Sequence, residues 1–282
     1  MKRAWEVVRE VFQEAMRDRI TGEAAKAAYY FFLSLFPLIL ALFALTGIFG
    51  GAVAFDWIMG RLERALPGEA ATYLEQFVRE VTGESRPGIL SFSILFTLWS
   101  ASNIFTALAE GLNRMYDLEE GRPWWKRRLI SLAALVLGSV LLIGGSIALL
   151  AGPGFLAFLG LEPALEVLRL PLAIVMLVLL MWLIYFLLPA RDMRDAAWPT
   201  LIGALVGTGL WLAATLGFRV YVSQFGRYDQ TYGFVGGIIL LLLWLYLTAL
   251  AILFGGEVAA TLQQRWNDDW EVGQQAPGKP TD

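Results

Sequence analysis

The residues of this chain that could bind another molecule are polar and charged groups within, or beside, long apolar runs. Histidine and cysteine are both absent from the 282 residues, so the usual general base, thiol nucleophile and zinc ligands are missing. Asn103 and Glu110 belong to one apolar run, and Glu257 follows another. Inside a bilayer such groups face the helix bundle or a water-filled cavity. The chemistry they indicate is ligand binding without a cofactor or a metal.

Two further groups of candidates flank the apolar runs. Arg219, Asp229 and nearby tyrosines precede the last run, where an arginine needs a carboxylate or an anionic ligand. A basic loop at 111–128 carries a tryptophan pair and Arg122, Lys126, Arg127 and Arg128, which suits a border with lipid headgroups. The candidate lipid-binding or substrate-binding residues are Asn103, Glu110, Asn113, Arg114, Arg122, Lys126, Arg219, Arg227, Tyr228, Asp229, Tyr232 and Glu257.

Each of these groups also has a plainer interpretation. Serine, threonine and asparagine in a membrane helix commonly form hydrogen bonds to neighbouring helices, which applies to Asn103. Glu257 fits a helix-end carboxylate that reaches the interface. The basic loop would set the topology of the chain whether or not it binds a lipid.

The composition places most of the chain in lipid. Its residues are 57% hydrophobic and 17% charged, whereas soluble domains are about 25% charged. The net charge of −3 and the pI of about 5.2 argue against a nucleic-acid partner, which would require a basic surface.

Six apolar runs are long enough to cross a bilayer, which predicts an all-α polytopic membrane protein with six transmembrane helices. The last run, 235–254, has no charge and spans about 30 Å as a helix. The first run is too long for a signal-peptide core, so we expect it to be retained. The six predicted spans are 27–49, 89–109, 129–151, 170–188, 196–218 and 235–254.

The segments outside these runs complete a single membrane domain, 1–262. Residues 1–26 carry an apolar stripe that includes Trp5, Val8 and Phe12, which predicts an amphipathic interfacial helix, with a partner-binding arm as the alternative. Residues 50–88 predict further amphipathic helices in an outward-facing excursion. Residues 263–282 predict a polar, disordered tail.

The distribution of lysine and arginine predicts the orientation. Fifteen of these residues fall on the side that holds both termini, and seven fall on the other side. The positive-inside rule therefore places both termini in the cytoplasm of a bacterial inner membrane protein.

Four stretches also resemble a known family, in the same order and spacing over about residues 20–262. They are AAKAAYYFFLSLFPLIL, LWSASNIFTALAEGLNRMYDLEEGRPWWKRRL, LLPARDMRDAAWPTLIGAL and FGRYDQTYGFVGGIILLLLWLYLTALAILFGGE. The chain is similar in them to the YihY/virulence factor BrkB family of bacterial inner-membrane proteins. The resemblance implies six spans with cytoplasmic termini and a link to lipid export. An older description of the family as transfer-RNA-processing ribonucleases is generally treated as mistaken.

Two functions follow as expectations. The first is a transporter or lipid-translocating protein of the envelope, with a polar cavity between spans 2, 5 and 6. The alternative is a non-catalytic scaffold that recruits an envelope partner through 50–88. We expect no enzyme activity, since a metal-free nuclease usually needs histidine. Membrane lipids are the expected partners, and a homo-oligomer is compatible with the sequence.

Overall fold

The computed structural model of the protein describes residues 2–45, 87–150, 162–190, 197–224 and 229–275. Every regular element in these ranges is an α-helix, which confirms the predicted all-α class. The helices are α1 (Lys2–Arg17), α2 (Ile20–Leu45), α3 (Pro87–Met115), α4 (Trp124–Leu150), α5 (Glu162–Leu187), α6 (Ala197–Gln224) and α7 (Asp229–Gln275). The structure does not describe residues 50–86 of the predicted excursion. Its last two residues, 87 and 88, begin α3.

The last helix, α7, is the element on which the others pack. It contacts α6 most extensively, and also α2, α1, α3 and α5. It continues without a break to Gln275, so 263–275 are helical where the sequence predicts a disordered tail. At the start of this stretch the helix is held by a tertiary contact, because Glu10 of α1 pairs with Arg265.

Three helical stretches of the described residues are long and apolar enough to cross a membrane. They are Leu170–Leu187 in α5, Ala197–Ser223 in α6 and Val235–Trp266 in α7. These stretches match the fourth, fifth and sixth predicted spans. Large apolar side chains such as Leu216 and Ile239 are exposed on their surfaces, as expected where lipid is the solvent. That α2, α3 and α4 also cross the membrane stays a prediction.

The contact between α6 and α7 is close enough for backbone to meet backbone. A Cβ added at Gly255 would lie 2.7 Å from the carbonyl oxygen of Gly203 and 2.7 Å from Cα of Gly207. The hydroxyl of Tyr185 on α5 enters the same space and donates to the carbonyl oxygen of Ile252 at 2.6 Å. The close backbone packing that a Gly-x-x-x-Gly pair such as Gly203 and Gly207 permits is therefore present, and it occurs within one chain.

Apolar side chains fill the centre of the bundle beside this contact. Leu108 and Leu112 of α3 and Leu253 of α7 are fully buried. A Cβ at Gly111 would meet Leu253 Cδ2 at 3.0 Å, so α3 also approaches α7 closely. At this level the second and sixth predicted spans meet through packed side chains. The polar cavity expected between spans 2, 5 and 6 stays a prediction.

Candidate functional site

Charged side chains from α2, α3 and α4 meet at one end of the bundle, which we call the charged end (Glu23, Lys26, Glu110, Arg114 and Arg127). Lys26 Nζ donates to Glu110 Oε2 at 2.5 Å and to Glu23 Oε2 at 3.4 Å. Arg127 Nη1 lies 3.5 Å from Glu110 Oε1, and Arg114 Nη1 lies 3.2 Å from Glu23 Oε1. Glu110, a predicted site residue, therefore joins three helices by charge-assisted bonds.

The environment of Lys26 shows that these contacts are mutually stabilising. Burial alone lowers the pKa of Lys26, but the hydrogen bond to Glu110 and the charges of Glu110 and Glu23 outweigh it and raise this pKa above its ordinary value. The ammonium group of Lys26 is thus paired with two carboxylates of the protein, Glu23 and Glu110.

A second cluster, the Arg122 clamp (Asn113, Glu120, Arg122 and residues 188–190), ties the loop after α3 to the end of α5. Arg122 Nε and Nη2 donate to the two oxygens of Glu120 at 2.8 and 2.7 Å. The same guanidinium donates to the carbonyl oxygen of Leu188 at 2.9 Å and reaches that of Pro189 at 3.5 Å. Bidentate pairing of this kind gives fixed geometry as well as affinity.

Asn113 completes the clamp from α3, where it is buried. Its Nδ2 donates to Glu120 Oε2 at 3.0 Å, and its Oδ1 accepts from the backbone N–H of Ala190 at 2.7 Å. Two predicted lipid-binding residues, Asn113 and Arg122, therefore link elements of the fold at this point, and lipid binding by them stays a prediction.

Lowering the pH should weaken the Arg122 clamp through Glu120. The hydrogen bond from Arg122 is the main cause that holds the pKa of Glu120 below its ordinary value. This bond stabilises the fold above the unfolded-state pKa, about 4.3, and the stabilisation is lost as the pH falls through the folded-state pKa. The thermal unfolding midpoint of the wild type should therefore approach that of Glu120→Gln as the pH falls through the lowered pKa of Glu120. A gap between the two proteins that stays constant with pH would contradict this assignment.

An open depression of about 400 Å³ lies between these two clusters. Four of its seven lining residues are acidic, and three of them, Glu110, Asp117 and Glu120, already lie within ion-pair distance of a base. Arg114 is the basic residue in its wall, and it pairs with Glu23. That an anionic headgroup binds near the basic loop stays a prediction. The lining residues are Glu110, Asn113, Arg114, Asp117, Leu118, Glu119 and Glu120.

A third polar site lies on the flank of α3 and α4, and we call it the Arg128 site (Trp99, Asn103 and Arg128). Arg128 Nη1 donates to Asn103 Oδ1 at 2.7 Å, and Nη2 donates to the carbonyl oxygen of Trp99 at 2.5 Å. The guanidinium carbon lies 3.6 Å from the centre of the Trp99 ring, a cation–π contact. Among the described residues, no carboxylate lies within ion-pair distance of Arg128.

The surroundings of the Arg128 site are apolar and exposed. Trp99 itself, Leu95, Leu98 and Leu129 are all exposed large side chains on this flank. A charged group among apolar side chains is normally paired with a group of opposite charge. The sequence indicated this site only through its basic loop, because the contacts of Arg128 with Trp99 and Asn103 join separate helices.

Glu257 lies on α7, and its side chain is almost completely buried, at 1% exposure. Its Oε2 has no hydrogen-bond partner among the described residues. Within the described residues no basic side chain forms an ion pair with Glu257.

The remaining predicted residues are not brought to these clusters. Lys126 is exposed at the start of α4. Arg219 is exposed near the other end of the bundle, on α6, and does not point into it as expected. Asp229 and Tyr232 belong to the first turns of α7, so the pairing of Arg219 with Asp229 stays a prediction. Arg227 and Tyr228 lie outside the described residues.

These long apolar helices, packed around α7 and joined at a charged end, define an all-helical integral membrane protein. The chain belongs to the virulence factor BrkB family, whose model matches residues 11–279.

Several relatives align over nearly the whole chain. The putative ribonuclease-like protein YfkH of Bacillus subtilis (strain 168) is 31% identical over 92% of this chain and 95% of its own length. A UPF0761 membrane protein of Aeromonas salmonicida (strain A449) is 30% identical over 89% of this chain and 87% of its own length. No solved structure matches the chain significantly.

Proposed function

We propose that this protein binds phospholipid at the Arg128 site and moves it through the membrane, as a lipid-translocating protein of the bacterial cytoplasmic membrane. The observation that carries the proposal is Arg128, a cation on an apolar, exposed flank that has no carboxylate partner among the described residues. A phosphate group is a natural partner for a guanidinium, because both can form two parallel hydrogen bonds.

The neighbouring basic groups support that choice. Lys26, Arg114, Arg122 and Arg127 are each paired with a carboxylate of the chain, and Lys126 is exposed to solvent. Among the described residues Arg128 contacts only neutral groups, so no carboxylate there neutralises its charge. Trp99 adds an aromatic face of the kind that lies at the level of lipid headgroups.

The topology we propose is the six-span arrangement with both termini in the cytoplasm. The packing of α1 on the far part of α7 supports it, because the first and last described helices then lie at the same end. The exposed stripe of Trp5, Val8, Phe12 and Met16 on α1 fits a helix that rests on the membrane surface.

The packed centre of the bundle shapes the route that we propose. Because α6 and α7 touch through glycine backbone, a lipid headgroup would pass along the outer flank of α3 and α4 rather than between α6 and α7. The acyl chains would then stay in the bilayer, which avoids transferring apolar surface into water.

We also propose that the protein is not an enzyme. A relative's name contains the words ribonuclease-like, but this chain has no histidine with which to run metal-free cleavage. The scaffold alternative depends mainly on 50–86, which lie outside the described residues.

Arg128→Gln should slow lipid movement without unfolding the protein. In vesicles of phosphatidylglycerol and phosphatidylethanolamine, the wild type should exchange fluorescent phosphatidylglycerol between leaflets, measured by quenching of the outer leaflet. Losing a hydrogen bond to a charged group costs about 1.5–3 kcal/mol, so the rate should fall at least about tenfold.

The matched control is Lys126→Gln, which removes a positive charge from the same loop but from an exposed position. It should leave the rate within about twofold of the wild type, since exposed charges contribute little. Equal rates for Arg128→Gln and the wild type would exclude the Arg128 site. A wild type with no exchange activity would overturn the proposed function and favour the scaffold.

A further inference from the structure

Glu257 is the most deeply buried ionisable carboxyl of the described residues, and the lipid proposal does not use it. It sits on α7 beside Gly256, whose position contacts Leu112 and Met115 of α3 and Tyr185 of α5. Its Oε2 accepts no hydrogen bond from the described residues. A buried carboxyl oxygen without a partner is uncommon, because desolvating it is costly.

The charges that act most strongly on Glu257 are all negative. They come from Asp18 in the turn after α1, Glu14 on α1 and Asp117 in the loop after α3. Asp18 is itself buried, at 8% exposure. Burial first, and then the Asp117 carboxylate, raise the pKa of Asp18 above its ordinary value. The negative charges of three other carboxyl groups therefore act on the buried side chain of Glu257.

The basic side chains near Glu257 form ion pairs with carboxylates other than Glu257. Arg17 Nη1 pairs with Glu14 at 3.2 Å, and Arg17 Nη2 lies 3.6 Å from Asp117. Arg114 pairs with Glu23. The titratable groups facing this part of α7, or facing the carboxyls beside it, are Glu14, Arg17, Asp18, Arg114, Asp117 and Tyr185.

The geometry favours a proton over a metal ion as the cation that neutralises Glu257. No group of three or more acidic side chains among the described residues is arranged to hold a metal ion. A proton needs only one oxygen, and adding it to Glu257 removes both the buried charge and the repulsion from the three neighbouring carboxyls.

We propose that Glu257 is a proton-binding site of this protein. A proton from water adds to one carboxylate oxygen to form a carboxylic acid, and it returns to water at the end of the bundle where α1 lies. Loss of the proton places a charge between α1, α3 and α7 and weakens their contact. The inference is independent of lipid binding, because it concerns other residues and is tested without a transport assay.

Infrared spectroscopy of the purified full-length protein tests the site. The wild type at neutral pH should show the C=O stretch of a protonated carboxylic acid, and this band should disappear at alkaline pH. Glu257→Gln, which keeps the shape of the side chain without a titrating group, should lack the band. Glu119→Gln changes an exposed carboxyl of the same region and should keep it. Identical spectra for the wild type and Glu257→Gln would overturn the proposal.

A second measurement needs no variant and decides the matter if Glu257→Gln does not fold. A hydrophobic carbodiimide reacts with protonated carboxyls in apolar surroundings, and mass spectrometry locates the adduct. Glu257 of the wild type should be modified at neutral pH, and the modification should be lost as the pH is raised. Modification of Glu119 or Asp117 without any at Glu257 would overturn the proposal.

Discussion

Gly255→Ala should prevent α5, α6 and α7 from closing on one another. A Cβ at this position would overlap the hydroxyl oxygen of Tyr185 and lie 2.7 Å from backbone atoms of both Gly203 and Gly207. Backbone cannot move aside as a flexible side chain can, so α6 and α7 must separate. Overpacking of a well-packed core costs about 1–3 kcal/mol or more. We expect a lower thermal unfolding midpoint in detergent and a lower yield of folded protein.

The same helix offers a matched control in Gly237, where an added Cβ meets no atom within 4 Å. Gly237→Ala should leave the midpoint unchanged or raise it slightly, since alanine favours a helix over glycine by about 0.5–1 kcal/mol. Equal midpoints for Gly255→Ala and Gly237→Ala would show that α6 and α7 do not meet as described.

Arg122→Gln should have the second large effect, because it removes the centre of the Arg122 clamp. Glu120 would lose its bidentate partner, and the carbonyl oxygen of Leu188 would lose a donor. Breaking a buried ion pair on one side costs about 3–5 kcal/mol, and the partly buried setting here places the loss toward the lower end. The measurement is again the thermal unfolding midpoint at neutral pH.

Lys126→Gln is the control for this change as well, since Lys126 is exposed four residues further along the chain. The double variant Arg122→Gln, Glu120→Gln should lose less than the sum of the two single changes, because each single change breaks the same pair. Additive losses would mean that Arg122 and Glu120 do not interact.

The clamp also links stability to the proposed function. Arg122 fixes the loop that leads into α4, and Arg128 projects from the first turns of that helix. A looser loop would let the guanidinium of Arg128 move away from Trp99 and Asn103. Arg122→Gln should therefore slow lipid exchange even in the fraction of protein that remains folded.

The sequence alone determined the class of this protein and much of its layout. Uninterrupted apolar runs of bilayer length predicted helices, and the last three coincide with the stretches able to span a membrane. The Gly203-x-x-x-Gly207 spacing permits a close helix contact, and α6 makes such a contact with α7. These inferences succeed because helix formation and burial in lipid depend on residues that are neighbours in the chain.

Only the tertiary structure decided what each charged residue does. Arg122 and Asn113 form bonds to Glu120 and to the residues after α5, contacts that the sequence does not reveal. Among the described residues Arg127 has an acidic partner and Arg128 has none, although the two are adjacent in the sequence. The reason is that an ion pair falls off with distance, and pairs such as Lys26–Glu110 and Glu10–Arg265 join positions that come together only when the helices pack.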